Sequence, residues 1–281
     1  TRPLTVASMK IKSPLITLAV MAAAAVPTAQ ANAKNLPSTA HFKVRITASQ
    51  VISWKKNIEV RGQDGGCDSV VDQTGNGTSG LELHSGGWQP LTVKRLRGQV
   101  LFSFGGKQSA TRALGHLERD GVSDTRQVSP PSNPFLCPKS GTPSAPDCGE
   151  RDLPGGALVG MEWDRPADWP DFAGPAPLAP SIFLVGPFSH DPTELSHAMS
   201  FRDCPGVSPD YLLGLSTSEG YDTGAAALPV SKLFGKQKRF QVHTQLKRTT
   251  NSPLASGVSG TFPVSTQLRW KVEFERTRIS H

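Results

Sequence analysis

The sequence predicts an all-β protein, an antiparallel β-sandwich of Ig-like or jelly-roll-like type with long Pro/Gly-rich loops and one short helix. Three observations carry this. Apolar and charged residues alternate strictly at both ends of the chain, as in Leu268-Arg269-Trp270-Lys271-Val272-Glu273-Phe274-Glu275, which is a strand with one buried and one wet face. Many shorter runs of strand-forming residues follow one another at turn-sized intervals, and long segments of 3.6-residue period are missing. The 27 glycines and 24 prolines assign much of the remaining length to turns and loops.

From the N-terminal side, Phe42, Val44 and Ile46 alternate with Lys43, Arg45 and Thr47, and Trp54 lies in a second short strand. Further short strands are expected at Ile58–Arg61, Gly80–His84, Leu91–Leu96, Val100–Phe104, Ala157–Trp163 and Ser181–Val185. Asn76-Gly77 and the Gly-Gly pairs at 65–66, 86–87 and 105–106 supply turns that need positive φ. Residues 123–147 and 164–180 are rich in proline, which lacks the ladder donor, so both read as loops. The first is also the place for a seam, although a single domain over 34–281 is the favoured organisation. Asp191 at N-cap, Pro192 at N1 and Glu194 at N3 start a helix over 192–199, with Leu195 and Met199 on its inner side. Lys232–Phe234 forms another turn of helix. Arg239–Leu246 repeats the alternation and pairs antiparallel with 268–275.

The first 33 residues read as a leader. Met9 precedes Lys10 and Lys12, an apolar run from Leu15 to Val26, and Ala31-Asn32-Ala33. That order of basic, apolar and small-x-small segments is a secretory signal peptide. The apolar run is well short of the ~20 residues a spanning helix needs. Residues 1–8 lie upstream of this Met, so the expected product begins at Met9, and the exported form begins at Lys34. Residues 1–33 hold Arg2, Lys10 and Lys12 and no acid, so the remaining 248 residues carry 27 basic and 23 acidic side chains, a net +4. A mixed, solvated surface accounts for that balance.

Four cysteines, Cys67, Cys137, Cys148 and Cys204, in an oxidising compartment predict two disulfides. The expected pairing is Cys67–Cys137 and Cys148–Cys204, each bridge closing one half of the chain. The rival is a local Cys137–Cys148 bridge. No CxxC or HxxxH spacing is present, which argues against zinc.

No catalytic signature stands out. G-x-S-x-G does not occur, and Gly257-Val258-Ser259-Gly260 lacks the closing glycine. His190, Glu194 and His197 have helical spacing, but a helix that starts at Asp191 leaves His190 outside it. Asp72–Gly77 resembles the opening of an EF-hand loop, yet its twelfth position is Leu83, where calcium needs a bidentate Glu; a hairpin turn at Asn76-Gly77 explains these residues better. Lys232, Lys236, Lys238, Arg239, Lys247 and Arg248 cluster about one strand and would suit an anionic polymer, or simply a solvated strand end. Aromatic residues carry the binding hypothesis. Trp88, Trp169, Tyr211 and Tyr221, with Trp163, lie in or beside loops, where flat rings stack on sugars or partner surfaces. Trp54 and Trp270, in strands, belong to the core.

Gly66-Cys67-Asp68, Asp147-Cys148-Gly149-Glu150-Arg151, Asp203-Cys204-Pro205 and the closing Leu268–Val272 strand resemble the pattern of secreted proteins of high-GC actinobacteria. The resemblance implies an exported all-β protein; no activity and no site residue comes with it. The expectation is therefore an exported, non-catalytic binding or structural module of the cell envelope or medium. Its expected partner is a cell-wall polymer or carbohydrate, with no cofactor, no metal, no nucleic acid and no transmembrane segment in the mature chain. The alternative is a secreted hydrolase, which would show a deep pocket where a histidine meets a carboxylate or hydroxyl.

Overall fold

Inward alternation at Ala40, Phe42, Val44, Ile46 and Ala48 does build a strand, and its partners bury the same face. The computed structural model describes residues 38–61, 70–96, 98–105, 109–129, 148–168, 170, 176–189, 191–199, 201, 204–205, 215–217, 220–222, 224–252 and 254–280. The chain divides into two units, Thr1–Asn35 and Leu36–His281, and every described strand and helix belongs to the second.

The strands are β1 (Thr39–Arg61), β2 (Val70–His84), β3 (Gln89–Leu96), β4 (Gln99–Phe104), β5 (Ala110–Arg112), β6 (Leu114–Ser129), β7 (Gly149–Asp152), β8 (Ala157–Asp164), β9 (Ser181–Ser189), β10 (Leu215–Thr217), β11 (Gly220–Asp222), β12 (Ala226–Ala227), β13 (Arg239–Asn251), β14 (Val258–Thr261) and β15 (Pro263–Ser280). The helices are α1 (Pro192–Met199) and α2 (Val230–Phe234). The large antiparallel sheet has the order β13-β15-β1-β2-β6-β7, with β14 and β3 also on β1, and β4 on β3. A smaller sheet runs β12-β9-β8-β5, and β10-β11 form a two-stranded ribbon. Between the two main sheets one core gathers Phe42, Val44, Leu91, Leu268, Trp270 and Phe274 from the large sheet against Val159, Met161, Trp163, Ile182 and Leu184 from the small one. This is the antiparallel sandwich the alternation predicted.

The final hairpin has the expected register: Phe240 opposes Phe274, Val242 opposes Val272 and Leu246 opposes Leu268. Leu268, Trp270, Val272 and Phe274 are all buried. Helix α1 begins where its cap predicted, with Asp191 Oδ1 accepting from the Thr193 N–H (3.0 Å) and Leu195 and Met199 buried. Helix α2 brings Leu233 and Phe234 to the same core. Cys148 and Cys204 form a disulfide, as paired from the sequence, so the local Cys137–Cys148 alternative is overturned. Cys67 and Cys137 lie outside the described residues, as do the leader-like segment 1–33 and the Gly65-Gly66 turn.

Several expectations are corrected. The short strands expected at Trp54 and Ile58–Arg61 are parts of the 23-residue β1. The turn expected at Asn76-Gly77 is the middle of β2, which pairs with β1 on one side and β6 on the other. These glycines exist for close approach rather than for a turn. Trp54 opposes Gly77, which opposes Gly121, and a Cβ on Gly77 would come within 2.9 Å of the Trp54 ring, with a Cβ on Gly121 at the same distance. The indole lies across backbone that has no side chain to displace it. Residues 123–129, expected in the proline-rich loop, continue β6; 130–147 lie outside the described residues. Trp163 is a core residue, buried, with its indole N–H donating to the Leu228 carbonyl (2.8 Å).

Candidate functional site

The corner between β2 and β3 organises the site. Along one edge β1 pairs with β2 from Thr47 onward and with β3 from Thr39 to Val44, so the partner strand must break between His84 and Gln89. Ser85, fully buried, closes that break. Its N–H donates to the Ile46 carbonyl (3.1 Å), and its hydroxyl accepts from the Ile46 N–H (3.1 Å) and donates to the Gly87 carbonyl (2.8 Å). Gly86 and Gly87 take φ of +63° and +109°, conformations that glycine adopts without strain. Gln89 Nε2 adds a hydrogen bond to the Ser85 carbonyl (2.8 Å).

That corner delivers Trp88 to the outer face of the large sheet. Trp88 is 43% exposed and the Arg45 guanidinium sits 5.3 Å from its ring centroid, a cation–π contact. Arg45 in turn is held by Glu273, with Nε and Nη2 both 2.7 Å from Oε2. The guanidinium holds the Glu273 carboxyl below the usual carboxylate range, and Lys271 Nζ, 3.4 Å away, adds to the effect.

From Trp88 the face continues as a shallow groove. Ladder register sets its rows: His243–Lys271–Thr47–His84 across β13, β15, β1 and β2, and beside it Gln245–Arg269–Ser49–Glu82. Side chains two apart on a strand share a face, so all eight look outward. They bound a cavity of about 610 Å³, and Gln241 joins it to a second of about 520 Å³ that Trp88, Arg239, Glu273 and Glu275 line. With its amide oxygen turned to the guanidinium, Gln267 accepts from Arg269 (2.8 Å). The groove thus offers donors and acceptors along its length, with one flat ring at its end.

Of the other sequence-predicted residues, Trp169 and Tyr211 lie outside the described residues. Tyr221 belongs to the ribbon strand β11, where it opposes Ser216. Among the described residues, Trp88 is the candidate ring placed on an open face. The basic residues near β13 do not form one patch: Lys232 Nζ lies over the Phe240 ring (5.5 Å), Arg239 is paired with Glu275 (2.8 Å), and Lys247 and Arg248, being consecutive in a strand, face opposite ways. His197 is exposed on α1, where its carbonyl accepts from Arg151 (3.2 Å); His190 lies outside the described residues. Among the described residues no group of three or more His, Cys, Asp or Glu is placed to hold a metal ion, and no helix is long and apolar enough to cross a membrane.

A histidine–carboxylate pair exists that the sequence did not reveal, because β6 and β7 were not expected to pair. His116 Nδ1 is 3.0 Å from Asp152 Oδ1 and Nε2 is 3.5 Å from Glu150 Oε2. The hydrogen bond to Asp152, with the charges of Glu150, Asp152 and Glu118, raises the His116 pKa. The Asp152 side chain is 87% exposed and the pair lines none of the three grooves on the large sheet. The pair lies on the outward face of β6 and β7. Known proteins add nothing to the geometry: no family model, no curated protein and no solved structure matches this chain.

Proposed function

We propose that this protein is an exported, non-catalytic glycan-binding module, and that a polysaccharide chain lies in the outer groove of the large sheet with one sugar stacked on Trp88. The observation that carries this reading is the placement of Trp88: a half-exposed indole, in contact with Arg45, at the end of a shallow groove lined by amides, hydroxyls and charged side chains. A sugar has one apolar face for a ring and a rim of hydroxyls for such side chains. A shallow, open face suits a polymer that enters and leaves sideways. The leader-like N-terminus and the Cys148–Cys204 disulfide support an oxidising, extracytoplasmic setting.

Affinity electrophoresis through gels containing soluble polysaccharides tests the reading. At least one glycan should retard the folded protein, and Trp88→Ala should weaken that interaction tenfold or more, equivalent to about 1.4 kcal/mol. Binding by Trp88→Ala equal to that of the parent protein, or no retardation by any glycan, overturns it.

A further inference from the structure

The outer face of the large sheet is electrically divided, and the division names the class of glycan. The groove side comprises β1 from Lys43 to Val51, the facing stretches of β15 (267–275) and β13 (239–247), and the end of β2 (80–84). Its outward positions hold six cations, Lys43, Arg45, Arg239, Lys247, Arg269 and Lys271, against three carboxylates, Glu82, Glu273 and Glu275. Glu273 is already shared between Arg45 and Lys271, and Glu275 is taken by Arg239. Lys43, Lys247 and Arg269 have no carboxylate partner among the described residues. On β6 and β7 the same face reverses sign: Glu118, Asp120, Asp124, Glu150 and Asp152 all point outward, with His116 and Arg126 among them.

Resting on the glycan-binding reading above, we infer that the ligand is an anionic glycan, a chain whose sugars bear carboxylate or phosphate groups, and that it runs along the strands over β13, β15 and β1 rather than across the sheet. Lys247 at one end and Arg239 and Lys43 at the other are separated by eight residues of strand, about 27 Å. Arg269 and Lys271 lie between them, and Trp88 stands beside the Arg239 end. A polyanion laid along this track meets a cation at nearly every alternate residue. Laid across the sheet it would run from that track onto the carboxylates of β6 and β7, where like charges repel. Cations without a carboxylate partner are the ones that gain most from a ligand anion, because no internal ion pair has to break first. Exposed charges of this kind act through a field that salt screens within about 8 Å at physiological ionic strength.

Binding of the full exported protein to polygalacturonate, phosphorylated mannan and neutral dextran, measured by calorimetry at 50 and 500 mM NaCl, decides the matter. At least one anionic glycan should bind tenfold or more tighter than dextran at low salt and lose most of that margin at high salt. Lys43→Gln/Lys247→Gln/Arg269→Gln should weaken anionic binding at least tenfold with an unchanged circular dichroism spectrum. Trp88→Ala should weaken it with the salt dependence intact. Dextran bound as tightly as the anionic glycans, with the triple variant unaffected, overturns the charge inference and leaves the glycan reading standing. Inorganic polyphosphate bound as tightly as the glycans, with no effect of Trp88→Ala, overturns both, as does failure of all three glycans to bind.

Discussion

Replacing Gly77 by Ala should destabilise the protein, while the same change three residues along the same strand should not. Both glycines lie in β2 between β1 and β6, so secondary-structure preference and strand position are matched. At Gly77 an added Cβ would sit 2.3 Å from the Asp120 carbonyl oxygen, 2.6 Å from the Gly121 Cα and 2.9 Å from the Trp54 ring. Two of these are backbone, so the strands or the indole must move. Overpacking of this kind costs about 1–3 kcal/mol, and contacts this short place Gly77→Ala in the upper half. The restricted unfolded chain returns about 0.4–1 kcal/mol, leaving a net loss of about 1–2.6 kcal/mol. At Gly80 the nearest atom to an added Cβ is Glu118 Cβ at 3.9 Å, an ordinary contact, so only the unfolded-state gain remains. For a domain of this size 1 kcal/mol moves Tm by about 2–4 °C. Thermal denaturation followed by circular dichroism, with disulfides intact, should therefore show Gly77→Ala melting about 2–10 °C below the parent and Gly80→Ala at or slightly above it. Equal midpoints for the two variants would refute the claim that Trp54 lies on a glycine floor.

Three further outcomes rest on the same structure. Trp270→Ala should cost about 3–5 kcal/mol in urea denaturation, because the indole is buried and its N–H donates to the Gly224 carbonyl (3.0 Å), whereas Lys271→Ala on the wet face should stay within about 0.5 kcal/mol; similar midpoints would show the register to be wrong. Ser85→Ala should cost about 1–3 kcal/mol by leaving the buried Ile46 N–H without its side-chain acceptor, and a stability equal to the parent would remove Ser85 from the corner. An NMR titration should place the His116 midpoint above the ordinary imidazole value of about 6.5, with Asp152→Asn bringing it down. Since folding raises this pKa, the contribution to stability is complete below the unfolded value and fades as pH rises through the folded one; a midpoint at or below 6.5 contradicts the pairing.

The sandwich was legible where apolar residues alternate on a single face. Phe42, Val44 and Ile46 on β1 and Leu268 to Phe274 on β15 announce themselves, and so does the helix cap at Asp191. The middle of β2 and all of β6 were not legible. Their inward positions include Gly75, Gly77 and Ser79, and Gly115, Arg119 and Gly121, small or polar residues, several of them suited to the Trp54 ring rather than to hydrophobic burial. A glycine that fits beneath a partner's indole looks, in one dimension, like a turn. The groove was hidden for a different reason. Each outward residue is visible as part of a wet face, but the row His243–Lys271–Thr47–His84 joins four strands from opposite ends of the chain and exists only through register. Trp88 was legible as an exposed loop ring; that it faces Arg45 depends on the Ser85 corner, which no spacing encodes.

Carbene footprinting tests the central claim most directly. A photoactivated diazirine should label Trp88, Gln241, His243 and Lys271 in the free protein, and saturating polygalacturonate should reduce labelling at all four while leaving Phe188 and His116 unchanged. Protection that falls on the small sheet or on β6 and β7, with Trp88 labelled as in the free protein, would contradict a glycan track on this face.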